Sequence, residues 1–214
     1  DRNVSRLTVV RSDGRLEPHR IGHRPALLSF GDMVTINDSR VISARLSGIR
    51  PPRIEGGEAI PVEVTLHKRE AGDRFRAFAR PARRLRPGDR LNFPAGLSAR
   101  VLARDGAEVV LGFDRAGDAL DGAIAQAGQM PLPPYIAKMR PPDAQDLTDY
   151  QTIYADQPGS VAAPTAGLHF TPALMERLRH AGIGLARTPL HVSAGTFLPV
   201  TSEDPADPRM HSEH

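Results

Sequence analysis

Short stretches of alternating apolar and polar residues crowd the segment from Ala44 to Phe113, and this period-two pattern constrains the fold more than any other feature. In Pro61–His67, the side chains of Val62, Val64 and Leu66 fall on one face, as in a half-buried strand. Phe75, Ala77 and Ala79 alternate with Arg74, Arg76, Phe78 and Arg80 in the next run. Ala44–Arg50, Arg90–Phe93, Ala99–Ala103 and Glu108–Phe113 complete the set, with Asp105-Gly106 a hairpin signal between the last two. About six strands at such close spacing predict a small antiparallel barrel.

The flanks have a different texture. Arg6–Arg11 and Met33–Asn37 read as short strands, with turn signals at Asp13-Gly14 and Gly31-Asp32. Asp118–Gly128 reads as a short helix, and Pro131–Pro134 as extended chain, since proline disfavours helix at the residue before it. Thr171-Pro172 opens the best helix, with Thr171 as N-cap and Pro172 at the first helical position. Its apolar stripe is Leu174, Met175, Leu178 and Ala181, and Gly182 ends it. Ile183–Arg187 and Leu190–Val192 read as further strands, and 150–154 as a run whose tyrosines would suit a core strand. The expected fold is therefore α/β: a mixed-sheet, layered α/β domain built from 1–46 and 115–214, with a six-stranded barrel inserted at 47–114.

The chain of 214 residues has no cysteine, which excludes a disulfide framework, thiolate metal sites and a cysteine nucleophile, and fits a reducing compartment. Its apolar runs are too short to span a membrane. It starts at Asp1 with no basic-then-apolar leader, so secretion is not expected and a cytoplasmic location is. No Gly-x-Ser-x-Gly elbow, Gly-x-Gly-x-x-Gly turn or Gly-Lys-Ser/Thr loop is present, which argues against a hydrolase triad, a dinucleotide fold and a P-loop. The histidines lack zinc-site spacing, so no metal is expected.

Lysine and arginine together exceed the acids by 28 − 25 = +3, and all but Lys68 and Lys138 are arginine. Genomic base composition explains that bias as readily as function does. Local distribution says more: from His67 to Arg90 there are nine basic residues against Glu70, Asp73 and Asp89. Such a block inside structured sequence suits a polyanion. The stretch from Thr201 to His214 is acidic instead.

Four stretches look chemical. Asn37-Asp38-Ser39-Arg40 sits between β-branched runs, where α/β sheets place ligand groups, although a plain turn explains it too. Tyr150-Gln151-Thr152-Ile153-Tyr154 carries hydroxyls and an amide without charge. Gly159 to Thr171 is a loop of small residues that runs into a helix N-terminus and holds Thr165, Gly167 and His169, an arrangement that favours an anion such as a carboxylate or phosphate. Leu190 to Phe197 repeats the pattern with His191, Gly195 and Thr196, and Met210–Glu213 adds His211 and Glu213.

Seven segments, in order, carry a resemblance: Asn37–Ile42, Arg80–Gly88, Pro131–Ile136, Tyr150–Ala155, Val161–Thr171, Leu190–Phe197 and Met210–Glu213. Together they resemble the S-adenosylmethionine:tRNA ribosyltransferase-isomerase family of queuosine biosynthesis, across nearly the whole chain. Departures are Ser39 for the usual Thr, Ser43 for Pro, Pro189 for Thr, Ser193 for Gly and Leu198 for Arg, the last removing a potential anion contact. Family members also start earlier and continue past His-Ser-Glu, so the chain looks like the first part of such an enzyme.

The resemblance implies transfer and isomerisation of the ribosyl moiety of S-adenosylmethionine onto the 7-aminomethyl-7-deazaguanine wobble base of tRNA. Adenine and methionine leave, and the product is epoxyqueuosine-tRNA. No cofactor is implied, since S-adenosylmethionine is consumed as co-substrate. The expected partners are tRNA, through its GUN-type anticodon loop, and S-adenosylmethionine, with no membrane and a monomer rather than an oligomer.

On this resemblance His169 or His191 is the candidate general base or acid, with Thr165 and Asp38 beside them in the catalytic set. Thr165 and the helix N-terminus after Thr171 are expected to hold the methionine carboxylate, and Asp38 or Glu213 to meet the sulfonium or α-ammonium. Asn37, Arg40, Tyr150, Gln151, Gly167, Gly195, Thr196 and His211 complete the expected substrate contacts. Arg80, Arg83, Arg84 and Arg86, with Arg40, are expected on tRNA phosphates. The rival reading is a non-catalytic basic barrel that binds RNA. It has few stacking platforms, with aromatics at 5% and no Trp, and it leaves the Val161–Thr171 block unexplained.

Overall fold

The computed structural model describes residues 2–193. In chain order its elements are β1 (Arg6–Val10), β2 (Leu16–Arg20), α1 (Arg24–Leu27), β3 (Met33–Asn37), β4 (Ser39–Val41), β5 (Arg45–Arg50), β6 (Ile60–Ala71), β7 (Arg74–Arg80), β8 (Arg90–Asn92), β9 (Ser98–Asp105), β10 (Glu108–Phe113), α2 (Gly117–Ala127), α3 (Pro134–Ala137), α4 (Asp146–Asp149), β11 (Gln157–Ser160), α5 (Pro172–His180) and β12 (Gly184–Thr188). Among the described residues, no helix is long and apolar enough to cross a membrane.

Strands β5 to β10 close into a six-stranded barrel in the order β10-β7-β6-β5-β8-β9, every pairing antiparallel. The period-two residues Val62, Val64 and Leu66 of β6 and Phe75, Ala77 and Ala79 of β7 fill its interior, as their alternation predicts. The barrel core does not stop at its strands. Leu120, Ala123, Ile124 and Ala127, one face of α2, join the same apolar cluster, as does Val161.

Around the barrel lies a mixed α/β frame. β3 and β4 are nearly one strand that changes partner at Asp38: β3 pairs in parallel with β12, and β4 in parallel with β11. Backbone bonds make the hand-over, Asp38 N–H donating to Thr188 O (3.3 Å) and Asp156 N–H to Asp38 O (2.7 Å). α5 follows its sequence signals closely. Thr171 Oγ1 accepts from Leu174 N–H at 3.2 Å, and Leu174 and Leu178 are wholly buried with Tyr154, Phe170 and Ile183. The helix stops at Gly182 (φ +72°), where Gly182 N–H bonds Arg179 O and Ile183 N–H bonds Leu178 O.

Three local expectations change. Pro134 is not extended: it takes the first position of α3, where a missing N–H costs nothing. Residues 150–154 form no strand, although Tyr150 and Tyr154 are buried as a core role requires. Leu190–Val192 lies outside any strand, because side chains replace the ladder there.

Candidate functional site

The segment Leu190–Val192 is held from both sides by polar side chains. From β3, Asn37 Nδ2 donates to Leu190 O (2.8 Å) while Asn37 Oδ1 accepts from Leu190 N–H (3.2 Å). Ser39 Oγ adds a bond to the same carbonyl (3.1 Å). On the other side Ser160, wholly buried, accepts from Val192 N–H (3.0 Å) and donates to Ala162 O (2.9 Å), while Val161 N–H donates to Val192 O (2.8 Å). An extended chain pinned at both flanks must send neighbouring side chains to opposite faces. His191 and Val192 accordingly line different cavities.

His191 faces a cavity of about 610 Å³ between the barrel and the frame. Its walls are β4 and the chain after it (Arg40 to Ser43), β6 (Leu66 to Arg69), α2 (Asp121, Ile124, Ala125) and β11 with Val161. Gly159 sets the imidazole's position. The β4–β11 register shifts between Pro158 and Ser160, so Gly159 is a bulge, with φ +143°. The His191 ring lies on it: a Cβ there would stand 2.9 Å from Cε1 and 3.0 Å from Nδ1. Nδ1 is buried with no hydrogen-bond partner among the described residues. Val192 faces a second cavity of about 700 Å³, lined by Pro133, Tyr135, Lys138, Tyr150, Ala162, Ala163 and Thr165 among others.

The predicted site residues divide accordingly. Arg40 and His191 share the first cavity, and the Arg40 guanidinium also donates to Ala155 O (2.6 Å). Tyr150 and Thr165 share the second; burial raises the Tyr150 phenol above its usual range, against the opposing effect of the Ala163 N–H. Gln151 spends both ends of its amide on one residue, Nε2 donating to Val41 O (2.7 Å) and Oε1 accepting from Val41 N–H (3.0 Å). Asn37 does the same to Leu190, so both amides act on backbone.

Asp38 is buried, with Oδ2 3.8 Å from Arg187 and Oδ1 unpartnered among the described residues; it lines neither cavity. Nor does Thr171, whose hydroxyl caps α5, or His169, half-buried at the end of the 3₁₀ stretch Thr165–His169. Gly167 in that stretch packs on Tyr154, whose hydroxyl would be 2.5 Å from a Cβ. Gly195, Thr196, His211 and Glu213 lie outside the described residues.

The basic block is partly self-neutralised. Arg76 pairs with Glu70 (2.6 Å) and Glu108 (2.9 Å), and Arg69 with Asp121. Arg80, Arg83, Arg84 and Arg86 are exposed, and of these Arg84 alone has an ion partner among the described residues, Glu58 at 3.5 Å. The loop bearing them is braced by buried Asp89, which takes two bonds of 2.7 Å from Arg53 and one of 2.8 Å from Arg86 N–H. Those bonds hold the Asp89 carboxyl below its ordinary range, with the Arg53 bonds the larger cause.

Sequence reasoning missed His67, which also lines the first cavity. The available signal was its place on β6, next to the inward Leu66 and at the head of the basic block.

Comparison with known proteins places the chain in a family. A family profile described as "Queuosine biosynthesis protein" matches residues 1–214. The S-adenosylmethionine:tRNA ribosyltransferase-isomerase of Methylorubrum extorquens is 54% identical over 99% of this chain and 60% of its own length. The protein of the same name from Maricaulis maris is 52% identical over 99% and 61%. A crystal structure of S-adenosylmethionine tRNA ribosyltransferase from Thermotoga maritima is 27% identical, covering 89% of this chain and 52% of that one, with a TM-score of 0.36. The chain spans about three-fifths of the length of the curated relatives it matches. With the profile covering every residue and half the positions identical to named relatives, the chain belongs to the queuosine biosynthesis protein family.

Proposed function

We propose that this chain is part of an enzyme that moves the ribosyl group of S-adenosylmethionine onto the aminomethyl group of 7-aminomethyl-7-deazaguanine in the tRNA wobble position. The ribose isomerises to an epoxycyclopentane, and adenine and methionine depart. The observation that carries this reading is His191, an imidazole seated on the Gly159 bulge inside the cavity between barrel and frame, in a chain of this family.

The chemistry suits those residues. The sulfonium of S-adenosylmethionine acidifies the neighbouring C5′–H bonds, and an imidazole nitrogen with a free lone pair can take that proton, so His191 Nε2 is the base we assign. Loss of adenine, attack by the tRNA amine and closure to the epoxide with methionine departing then follow. Arg40 and Lys68 supply positive charge at the cavity wall, where the methionine carboxylate or a flanking tRNA phosphate is stabilised. The exposed Arg80, Arg83, Arg84 and Arg86 take further phosphates. S-adenosylmethionine is consumed as co-substrate, no other cofactor is called for, and the enzyme works as a monomer in the cytoplasm.

The test is adenine release, followed by chromatography, from S-adenosylmethionine with tRNA carrying the 7-deazaguanine base. The enzyme containing this chain should release adenine only with modified tRNA, and His191→Ala should slow release about 10²- to 10⁴-fold while tRNA still binds. Binding of tRNA with no adenine release by the unaltered enzyme would leave a non-catalytic RNA-binding protein instead.

A further inference from the structure

Another wall of the first cavity is β6, and it too is interrupted by a bulge. The β6–β7 register shifts between Leu66 and Lys68, so His67 is the extra residue, out of the ladder and beside the wholly buried Leu66. A bulge re-aims the side chain it carries. Here the imidazole lies against Phe78, ring centroids 4.6 Å apart and planes 19° from parallel, and borders the cavity. Two bulges in the walls of one cavity, in strands far apart in sequence, thus each lie at an imidazole that borders it.

We propose that His67 is the barrel's contribution to the substrate site: a hydrogen-bond acceptor for an O–H or N–H of the nucleoside of S-adenosylmethionine, in the cavity it shares with His191. The inference rests on the function proposed above and gives the barrel a part in binding the small substrate.

The surroundings of the ring fit an acceptor. Glu108 Oε1 on β10 lies 2.8 Å from Nε2, and its charge and hydrogen-bonding capacity both act on the ring. A carboxylate there favours the ring proton on Nε2 and leaves Nδ1, which has no bond among the described residues, to accept. Burial is the larger influence and lowers the His67 pKa, partly opposed by Glu108 and reinforced by Arg76 on β7 and neighbouring Lys68. Arg76 binds Glu108 Oε2 and Glu70, drawing off carboxylate charge that would otherwise charge the ring. Across the cavity, Arg40 and His191 add no negative charge, and Asp121 is neutralised by Arg69. The imidazole therefore stays neutral near pH 7.

The experiment measures S-adenosylmethionine affinity against pH by calorimetry for the enzyme carrying this chain, with His67→Gln and Glu108→Gln. Affinity of the unaltered enzyme should fall as acid protonates His67 and removes the acceptor. Glu108→Gln deletes an influence that raises the His67 pKa, so its acid limb should move to lower pH. His67→Gln should weaken binding about ten-fold at pH 7 and lose that limb. Imidazole ¹⁵N spectra of the unaltered protein test the contact without a variant: adenosine should shift the His67 Nδ1 resonance. If the unaltered enzyme binds and turns over S-adenosylmethionine while His67→Gln changes affinity less than about two-fold, the Glu108→Gln limb stays put and the His67 resonance does not move, this inference fails and the proposed function stands. If the unaltered enzyme does not bind S-adenosylmethionine, both fail.

Discussion

Gly159 and His191 depend on each other. The bulge at Gly159 (φ +143°) is a conformation glycine adopts freely and alanine does not, and the missing Cβ is the space the imidazole fills. Gly159→Ala should therefore cost about 1–3 kcal/mol in strain and push the ring off its seat. Adenine release should fall at least about ten-fold with the fold retained, a result that thermal melting and single-turnover kinetics check together. The sequence marked Gly159, His191, Asn37 and Gln151 as special but could not say how. The Asn37 and Gln151 amides grip backbone at Leu190 and Val41, 153 and 110 residues away, and bonds of that reach leave no local trace. His169 and His191 looked equivalent in sequence because both sit in small-residue loops; packing of the Thr165–His169 turn on Tyr154 keeps the first out of either cavity.

Among the elements, legibility followed the hydrophobic pattern. The barrel strands and α5 were readable because alternation and capping are local properties of the chain. β2 was missed because Leu16–Arg20 contains Pro18 and two charges and shows no alternation. The fit of α2 onto the barrel core was equally hidden, since amphipathicity shows that a helix buries a face but not against what.

Two acidic clamps hold irregular chain near these elements: Asp89 braces the arginine loop, and buried Asp146 binds Arg140 at 2.6 and 2.8 Å and the N–H of Asp143 at 2.9 Å. Both carboxyls are held below the ordinary aspartate range, chiefly by their arginine bonds. A depressed folded pKa means their stabilisation is complete above about pH 4 and is lost as pH falls further, through the folded values. Melting temperature should decline in that acid window, and Asp89→Asn with Asp146→Asn should lower it at pH 7 while flattening the decline.

At the scale of the molecule, a formal charge of +3 understates the barrel's field, because carboxylates consume Arg53, Arg69 and Arg76 and leave Arg80, Arg83 and Arg86 exposed with no ion partner among the described residues. Arg83→Ala with Arg84→Ala should weaken tRNA binding and flatten its salt dependence by about one unit of log–log slope per lost phosphate contact. S-adenosylmethionine affinity should not change, since neither residue lines either of the two cavities described above. Filter binding across a salt series and calorimetry measure the two separately. Charge clustering was visible in the sequence; which arginines are already paired was not, because Glu58, Glu108 and Asp121 approach them only in the fold.

The most direct measurement is a crystal structure of the enzyme carrying this chain with S-adenosylmethionine bound. The nucleoside should occupy the cavity bounded by β6, α2 and the Gly159 bulge, with C5′ about 3–3.5 Å from His191 Nε2. Density for the ligand in the Tyr150–Thr165 cavity, or against His169, would contradict the account.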